Sequence, residues 1–337
     1  MIPSDFQPFS IVENRGFTTF VHALNPMYVL PSRKTLSQTI IPHLYNKERP
    51  LWQDRVKKAS AVCLTTDCWT SRTTCSYMSV TCHFTENFKM TSCLLDCFEC
   101  AERHNTENLA EELLRVAQEW QVNDKVVCCV TDDAANITKA IQNLQWTHNP
   151  CLAHTINLIV QDALKVVKQT VDKVKAIVEF FHESTIATEK LKSMQRQMGM
   201  PELRPKQECA TGWNSTFYTL KRILESKDSI ISTLAAINAP VETLSQEEWD
   251  RVKEVCIILE HFEEVTVEIS AESYVTASKM LILCKGLQRV TAHHQRSVTM
   301  DKSKGAGHCS FFIHGQKISE DGVQQCAFRN HCSGHQV

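Results

Sequence analysis

The spacing of apolar and polar residues changes rhythm twice along the chain. Ala61-Val62-Cys63-Leu64-Thr65-Thr66 is an apolar run too short for a helix, and it predicts a buried strand ending at Asp67. From Tyr77 to Phe84, Met78, Val80, Cys82 and Phe84 alternate with Ser79, Thr81 and His83, the period of two of a half-buried strand. Phe88 to Phe98 supplies a third strand, and Val126-Val127-Cys128-Cys129-Val130 a fourth that stops at Thr131-Asp132. Between these two, Leu109, Leu113, Val116 and Trp120 recur at helical steps behind Thr106, a residue type able to cap a helix. Ile137, Ile141 and Leu144 mark a second helix after the fourth strand. A strand–helix–strand unit with short links predicts a parallel pairing and layered α/β packing.

From His154 to Val290 the period is helical almost throughout. Ile156, Ile159, Val160, Ala163 and Val167 make one apolar face, and Val171, Val174, Ile177, Val178 and Phe181 another. Ser245-Gln246-Glu247-Glu248 has the pattern of a capping box. Upstream of the strands, Pro8, Pro26, Pro31, Pro42 and Pro50 predict short, interrupted helical pieces. At the far end, Gly305, Gly307, Gly315, Gly322 and Gly334 are five of the nine glycines, and the period is lost. The expected division is therefore a helical segment over 1–60, an α/β core over 61–150, an all-α block over 151–294, and a disordered or unrelated tail over 295–337.

Composition narrows the class. With 43% hydrophobic and 22% charged residues the 337-residue chain reads as globular, and it contains no 18-residue apolar run to span a membrane. The N-terminus lacks the basic patch and apolar run of a secretory signal. The 16 cysteines sit mostly as single residues inside apolar runs, so they read as buried hydrophobes of a reduced, cytosolic or nuclear protein. Net charge is −2, but residues 231–275 hold two Lys/Arg against ten Asp/Glu, a block that a nucleic-acid surface should avoid.

Asp67 and Asp132 each follow an apolar strand. If those strands are neighbours, both carboxylates emerge at one rim of the sheet, where open α/β sheets bind ligands. Paired hard oxygens suit Mg²⁺ or Mn²⁺ and the two-metal chemistry of phosphodiester cleavage. The plainer reading is that each aspartate caps a turn.

Four motifs then appear in order: Leu64-Thr65-Thr66-Asp67-Cys68-Trp69, Val130-Thr131-Asp132-Asp133-Ala134-Ala135-Asn136, Cys151-Leu152-Ala153-His154, and Trp213-Asn214-Ser215-Thr216. Together they closely resemble the hAT transposase family, in particular its transposon-derived members that begin with a BED zinc finger. The resemblance extends from about Phe6 to about His294. It implies an RNase H-like mixed sheet with an all-α insertion. It also implies that Asp67 and Asp132 match the first two members of a metal-binding Asp-Asp-Glu triad. Cys151 and His154 match a Cys-x-x-His motif, with His154 near DNA at the rim, and Trp213 beside Asn214 matches a tryptophan that stacks on a flipped base. Two ligands alone make Cys151 and His154 a poor zinc site. Cys326, His331, Cys332 and His335 in the tail match no common finger spacing.

The departures from the family pattern shape the expectation. The BED finger has no counterpart, nor has the Ser-Glu-Arg segment that carries the family's third carboxylate. Gly212 stands where the family usually has Arg. The chain is thus expected to be a truncated, catalytically inactive nuclear protein with a vestigial Mg²⁺ or Mn²⁺ site and no zinc finger. Its expected partners are DNA, bound weakly, and fuller transposase relatives, with no membrane. The rivals are an active nuclease in which Asp133, Glu179 or Glu208 replaces the missing Glu, and a gene fragment without function.

Overall fold

The computed structural model describes residues 4–100, 105–205, 212–270 and 277–300. The chain divides into two compact units, one from residues up to 129 together with 135–148, the other from 130–134 together with everything from 149 onward.

The first unit opens with helices. Beyond α1 (Arg15–Leu24), Ser32 caps α2 (Arg33–Thr35) by accepting from the Thr35 amide. The chain then passes through a π-helical turn (Leu36–Ile40) into α3 (Ile41–Lys58). Pro42 lies at the start of α3, directly after the π-helical turn. Pro50, expected as a break, lies inside α3 and the helix continues through it. An interior proline costs a helix about 3 kcal/mol. The packing of Trp52, Val56 and Ala59 against the sheet core offsets that cost.

The sheet has five strands, β1 (Val62–Thr70), β2 (Ser76–Glu86), β3 (Lys89–Glu99), β4 (Val126–Thr131) and β5 (Thr147–Pro150), in the order β3-β2-β1-β4-β5. It is mixed, with β1–β2 and β2–β3 antiparallel. The chain reaches β4, on the other side of β1, through α4 (Thr106–Glu119), and α5 (Ala135–Asn143) follows β4. One sheet face buries Leu64, Met78, Val80 and Leu95 against Leu113, Val116 and Ile141. Trp120 completes that layer, its Nε1 donating to the Leu95 carbonyl at 3.1 Å.

Three details correct the sequence expectation. β1 does not stop at Asp67, because its pairing with β2 persists through Asp67↔Ser79 to Thr70↔Ser76. The cap of α4 is Asn105, whose side chain accepts from the Asn108 amide at 2.8 Å, and Thr106 is the first helical residue. β5 went unpredicted because Thr-His-Asn-Pro carries no apolar alternation.

The second unit is helical among its described residues beyond Pro150. It contains α6 (Leu152–Val166), α7 (Lys168–Glu183), α8 (Thr185–Gln197), α9 (Trp213–Glu225), α10 (Lys227–Ala236), α11 (Gln246–Ile269) and α12 (Ala277–Met300). Val174, Ile177, Phe181, Phe217, Leu220, Ile223 and Ile230 form the centre of its core. α12 continues past residue 295, and the rest of the stretch expected as a tail, 301–337, lies outside the described residues.

The capping box at α11 is complete. Ser245 Oγ accepts from the Glu248 amide at 3.2 Å, and Glu248 Oε2 accepts from the Ser245 amide at 2.8 Å. Ser245→Ala should lower stability by about 1 kcal/mol, while Ser245→Asn should be nearly neutral. Urea midpoints of the three proteins check this, and equal midpoints would show that the cap does not hold α11.

Candidate functional site

Alternation along β1 places Cys63, Thr65, Asp67 and Trp69 on the face opposite Val62, Leu64 and Thr66, which are buried. Asp67 is exposed there, opposite Ser79 of β2. On one side of it a polar row crosses three strands. His83 Nε2 lies 3.0 Å from Thr65 Oγ1, and His83 Nδ1 lies 2.8 Å from Ser92 Oγ. Either tautomer is satisfied, since each hydroxyl can donate or accept. On the other side Trp69, 41% exposed, stacks on Tyr77 with ring centroids 5.8 Å apart and planes 19° apart. Burial pushes the His83 imidazole below its ordinary value.

Asp132 is half-buried and immediately follows β4, in a tight turn. Its Oδ1 accepts from the Ala134 amide at 3.3 Å, and the Asp133 amide donates to Thr131 Oγ1 at 3.2 Å. Asp133 takes a left-handed φ of 67°, a conformation that aspartate tolerates better than most residues. The turn is tied to α6 by the Cys151 amide, which donates to the Thr131 carbonyl at 2.7 Å. Cys151 is the residue before α6, and His154 lies half-buried in its first turn. The Cys-x-x-His motif thus acts here through a backbone bond that fastens a helix start beside Asp132.

Further along α6, Asn157 Oδ1 accepts from the Trp213 amide at 3.4 Å and from Gln161 Nε2 at 3.2 Å. Trp213, expected as a stacking platform, opens α9 but is only 2% exposed. Its ring sits in the helical core, tilted against Phe217 at 6.4 Å. In this arrangement it is a packing residue, and a base can reach it only if the core opens. Asn214 beside it is half-buried. A Cβ at Gly212 would meet Asn157 Oδ1 at 3.9 Å, an ordinary contact, so the backbone there does not require glycine.

The donor set matches a hard divalent cation in type but not in number. Asp67 on β1 and Asp132 just after β4 are carboxylates, and β1 and β4 are neighbours in the sheet. Among the described residues no group of three His, Cys, Asp or Glu side chains is placed to hold a metal ion. Of the residues considered as stand-ins, Asp133 occupies the left-handed turn, Glu179 is exposed on α7, and Glu208 lies outside the described residues. Sequence reasoning missed the Thr65–His83–Ser92 row and the Trp69–Tyr77 stack. The signal was faint: polar residues at alternate positions of β2, and an aromatic two residues after Asp67.

Comparison with known proteins agrees with this arrangement. Residues 65–155 match the ZBED1 RNase-like domain and residues 149–258 the ZBED1 RNase-like helical domain. The first match spans the sheet from within β1 through β5, and the second spans the helices from α6 into α11. The chain is 28% identical over 287 residues to human zinc finger BED domain-containing protein 4, a match covering 81% of this chain and 24% of that one. A Zea mays protein named as an AC transposase is 28% identical, covering 80% of this chain and 36% of its own. Human zinc finger BED domain-containing protein 6 is 27% identical, covering 81% and 30%. The chain thus spans a quarter to about a third of the length of these relatives.

Two outcomes test the site's architecture. Trp213→Ala should cost about 3–5 kcal/mol in urea unfolding, the usual cost of deleting a buried tryptophan, and Trp213→Phe distinctly less. A platform residue exposed to solvent would leave the midpoint unmoved. The second outcome concerns pH. Because burial lowers the folded-state value of His83 below 6.5, the unfolded chain takes up the proton first as the pH falls. The His83 contribution is therefore full above about pH 6.5 and is lost as the pH falls from there through the lowered folded value. His83→Asn should flatten that part of the stability–pH curve, measured as urea midpoints from about pH 7.5 to about pH 5.

Proposed function

Because the chain belongs to the hAT transposase-derived, BED-type proteins, we propose that it is a nuclear, DNA-associated protein whose RNase H-like sheet serves as a scaffold and not as a strand-cleaving centre. The observation that carries this reading is the donor set: one carboxylate on β1 and one just beyond β4, and no three-residue ligand group among the described residues. Asp67 and Asp132 would each offer oxygens to a Mg²⁺ or Mn²⁺ ion, with water filling its remaining positions. Such an ion, when bound, offsets charge on a phosphate. In-line displacement further needs the leaving oxygen stabilised opposite the attacking one. Among the described residues these two carboxylates have no third beside them to support that second position, and each ~1.36 kcal/mol of lost stabilisation slows the reaction about tenfold.

DNA association in this reading rests on phosphate contacts and not on base readout. It avoids α11, whose first turn carries Glu247 and Glu248 and whose later surface carries Glu260, Glu263 and Glu264. Contacts of that kind weaken steeply with salt, because they work by releasing counterions. Association with fuller relatives of the same family is the second part of the proposed role.

The purified chain, given Mg²⁺ or Mn²⁺ and a duplex ending in terminal inverted repeats, should show no nicking or joining above background. Binding followed by gel shift should fall by orders of magnitude between about 50 and about 200 mM salt and be unchanged by Asp67→Ala. Metal-dependent nicking that Asp67→Ala or Asp132→Ala abolishes would overturn the scaffold reading. Asp133, Glu179 and Glu208 would then be the next residues to replace.

A further inference from the structure

Two cysteines that the proposed function does not use lie side by side on the sheet. Cys63 of β1 and Cys128 of β4 are 65 residues apart in sequence, and their Sγ atoms are 3.0 Å apart. We propose that Cys63 and Cys128 are a peroxide-reactive thiol pair that closes reversibly into a disulfide stapling β1 to β4.

The two cysteines lie on strands that are neighbours in the sheet. Neighbouring strands run about 4.8 Å apart, and a disulfide spans Cα atoms about 4.4–6.8 Å apart, so the sulfurs need only close to about 2.05 Å. Exposure separates this pair from the two buried sheet thiols. Cys82 and Cys129 are fully buried on the core face, whereas Cys63 and Cys128 are each partly exposed on the opposite face. A molecule as small as hydrogen peroxide can reach them there. A zinc reading does not fit, because no third ligand joins them among the described residues.

Either sulfur of so close a pair can react first, and the two steps are the same with the roles exchanged. Where Cys128 leads, it first loses its proton. Its thiolate attacks one peroxide oxygen, the O–O bond breaks, and the departing hydroxide takes up the proton that Cys128 released, leaving as water. Cys128 is now a sulfenic acid. The Cys63 sulfur then attacks the Cys128 sulfur and expels hydroxide, which leaves as a second water with the Cys63 proton. Two thiols and one hydrogen peroxide give one disulfide and two waters, and a glutathione-type thiol reverses the bond by exchange.

The bond would fix the register of the two strands that lead to Asp67 and Asp132. Each aspartate lies four residues beyond its cysteine. The proposal is independent of whether the sheet cleaves DNA.

The test uses the full reduced chain, treated with equimolar hydrogen peroxide and then alkylated. Peptide mass spectrometry should find Cys63 and Cys128 joined in one cross-linked species, lighter by two hydrogens and separated again by dithiothreitol. The oxidised chain should unfold at a higher urea concentration than the reduced one. In Cys63→Ser and in Cys128→Ser, where the partner thiol is gone, dimedone should label the remaining cysteine of the pair as a trapped sulfenic acid. If Cys63 and Cys128 are recovered as separately alkylated peptides while other cysteines oxidise, the proposal fails. That mapping is made on the unsubstituted chain, so misfolding of a variant cannot blur it.

Discussion

The place of β4 beside β1 is the constraint on which the sheet depends. β1, β2 and β3 pair through short connections, but β4 must return across the whole of α4 to find the free side of β1. Closing so long a segment costs entropy that a six-residue strand recovers poorly by itself. The deficit is met at the entrance to β4. Lys125 Nζ donates to the carbonyls of Lys57 and Ala59, at the end of α3 and just before β1. One side chain thereby satisfies orphan carbonyls of a helix end and fixes the strand next to its partner. Cys129, fully buried, and Trp120 under β3 then seal the layer behind it.

Where packing follows a simple period, the sequence was readable. The alternation of Met78, Val80, Cys82 and Phe84 became β2, and the spacing of Leu109, Leu113 and Val116 became α4. Ser245 and Glu248 formed the capping box that their types and spacing announce. The four ordered motifs pointed to the family, a conclusion that no periodicity could have reached. The misreadings share a cause. Pro50 stays helical, β1 runs on past Asp67, and Trp213 turns inward, each because of a neighbour remote in sequence. The His83 row was illegible for the same reason: its partners are 18 and 9 residues away, and only strand register brings them together.

Electrostatics in the helical unit follow a similar logic. α11 carries a dense run of acids, yet several are paired across to other helices. Glu260 accepts from Lys221 at 2.7 Å, and Glu248 from Lys173 at 2.9 Å. The half-exposed Lys221–Glu260 pair contributes about 0–1 kcal/mol, and pairs of its kind do not hold the bundle together. The apolar centre around Phe181 and Phe217 does that. What the pairs change is the field outside, since an acid matched to a lysine repels a phosphate less than a bare one.

The strand order also sets a schedule for the growing polypeptide. As synthesis proceeds, β1, β2 and β3 can zip together once Glu99 has cleared the ribosome, because their links are short. The other edge of β1 then waits, its backbone donors and acceptors unsatisfied, until α4 and β4 have followed. An open strand edge of nine residues is a template for another chain. The nascent protein is therefore most vulnerable to aggregation during that interval, before Val126–Thr131 arrives, and a chaperone that shields strand edges would act there or too late.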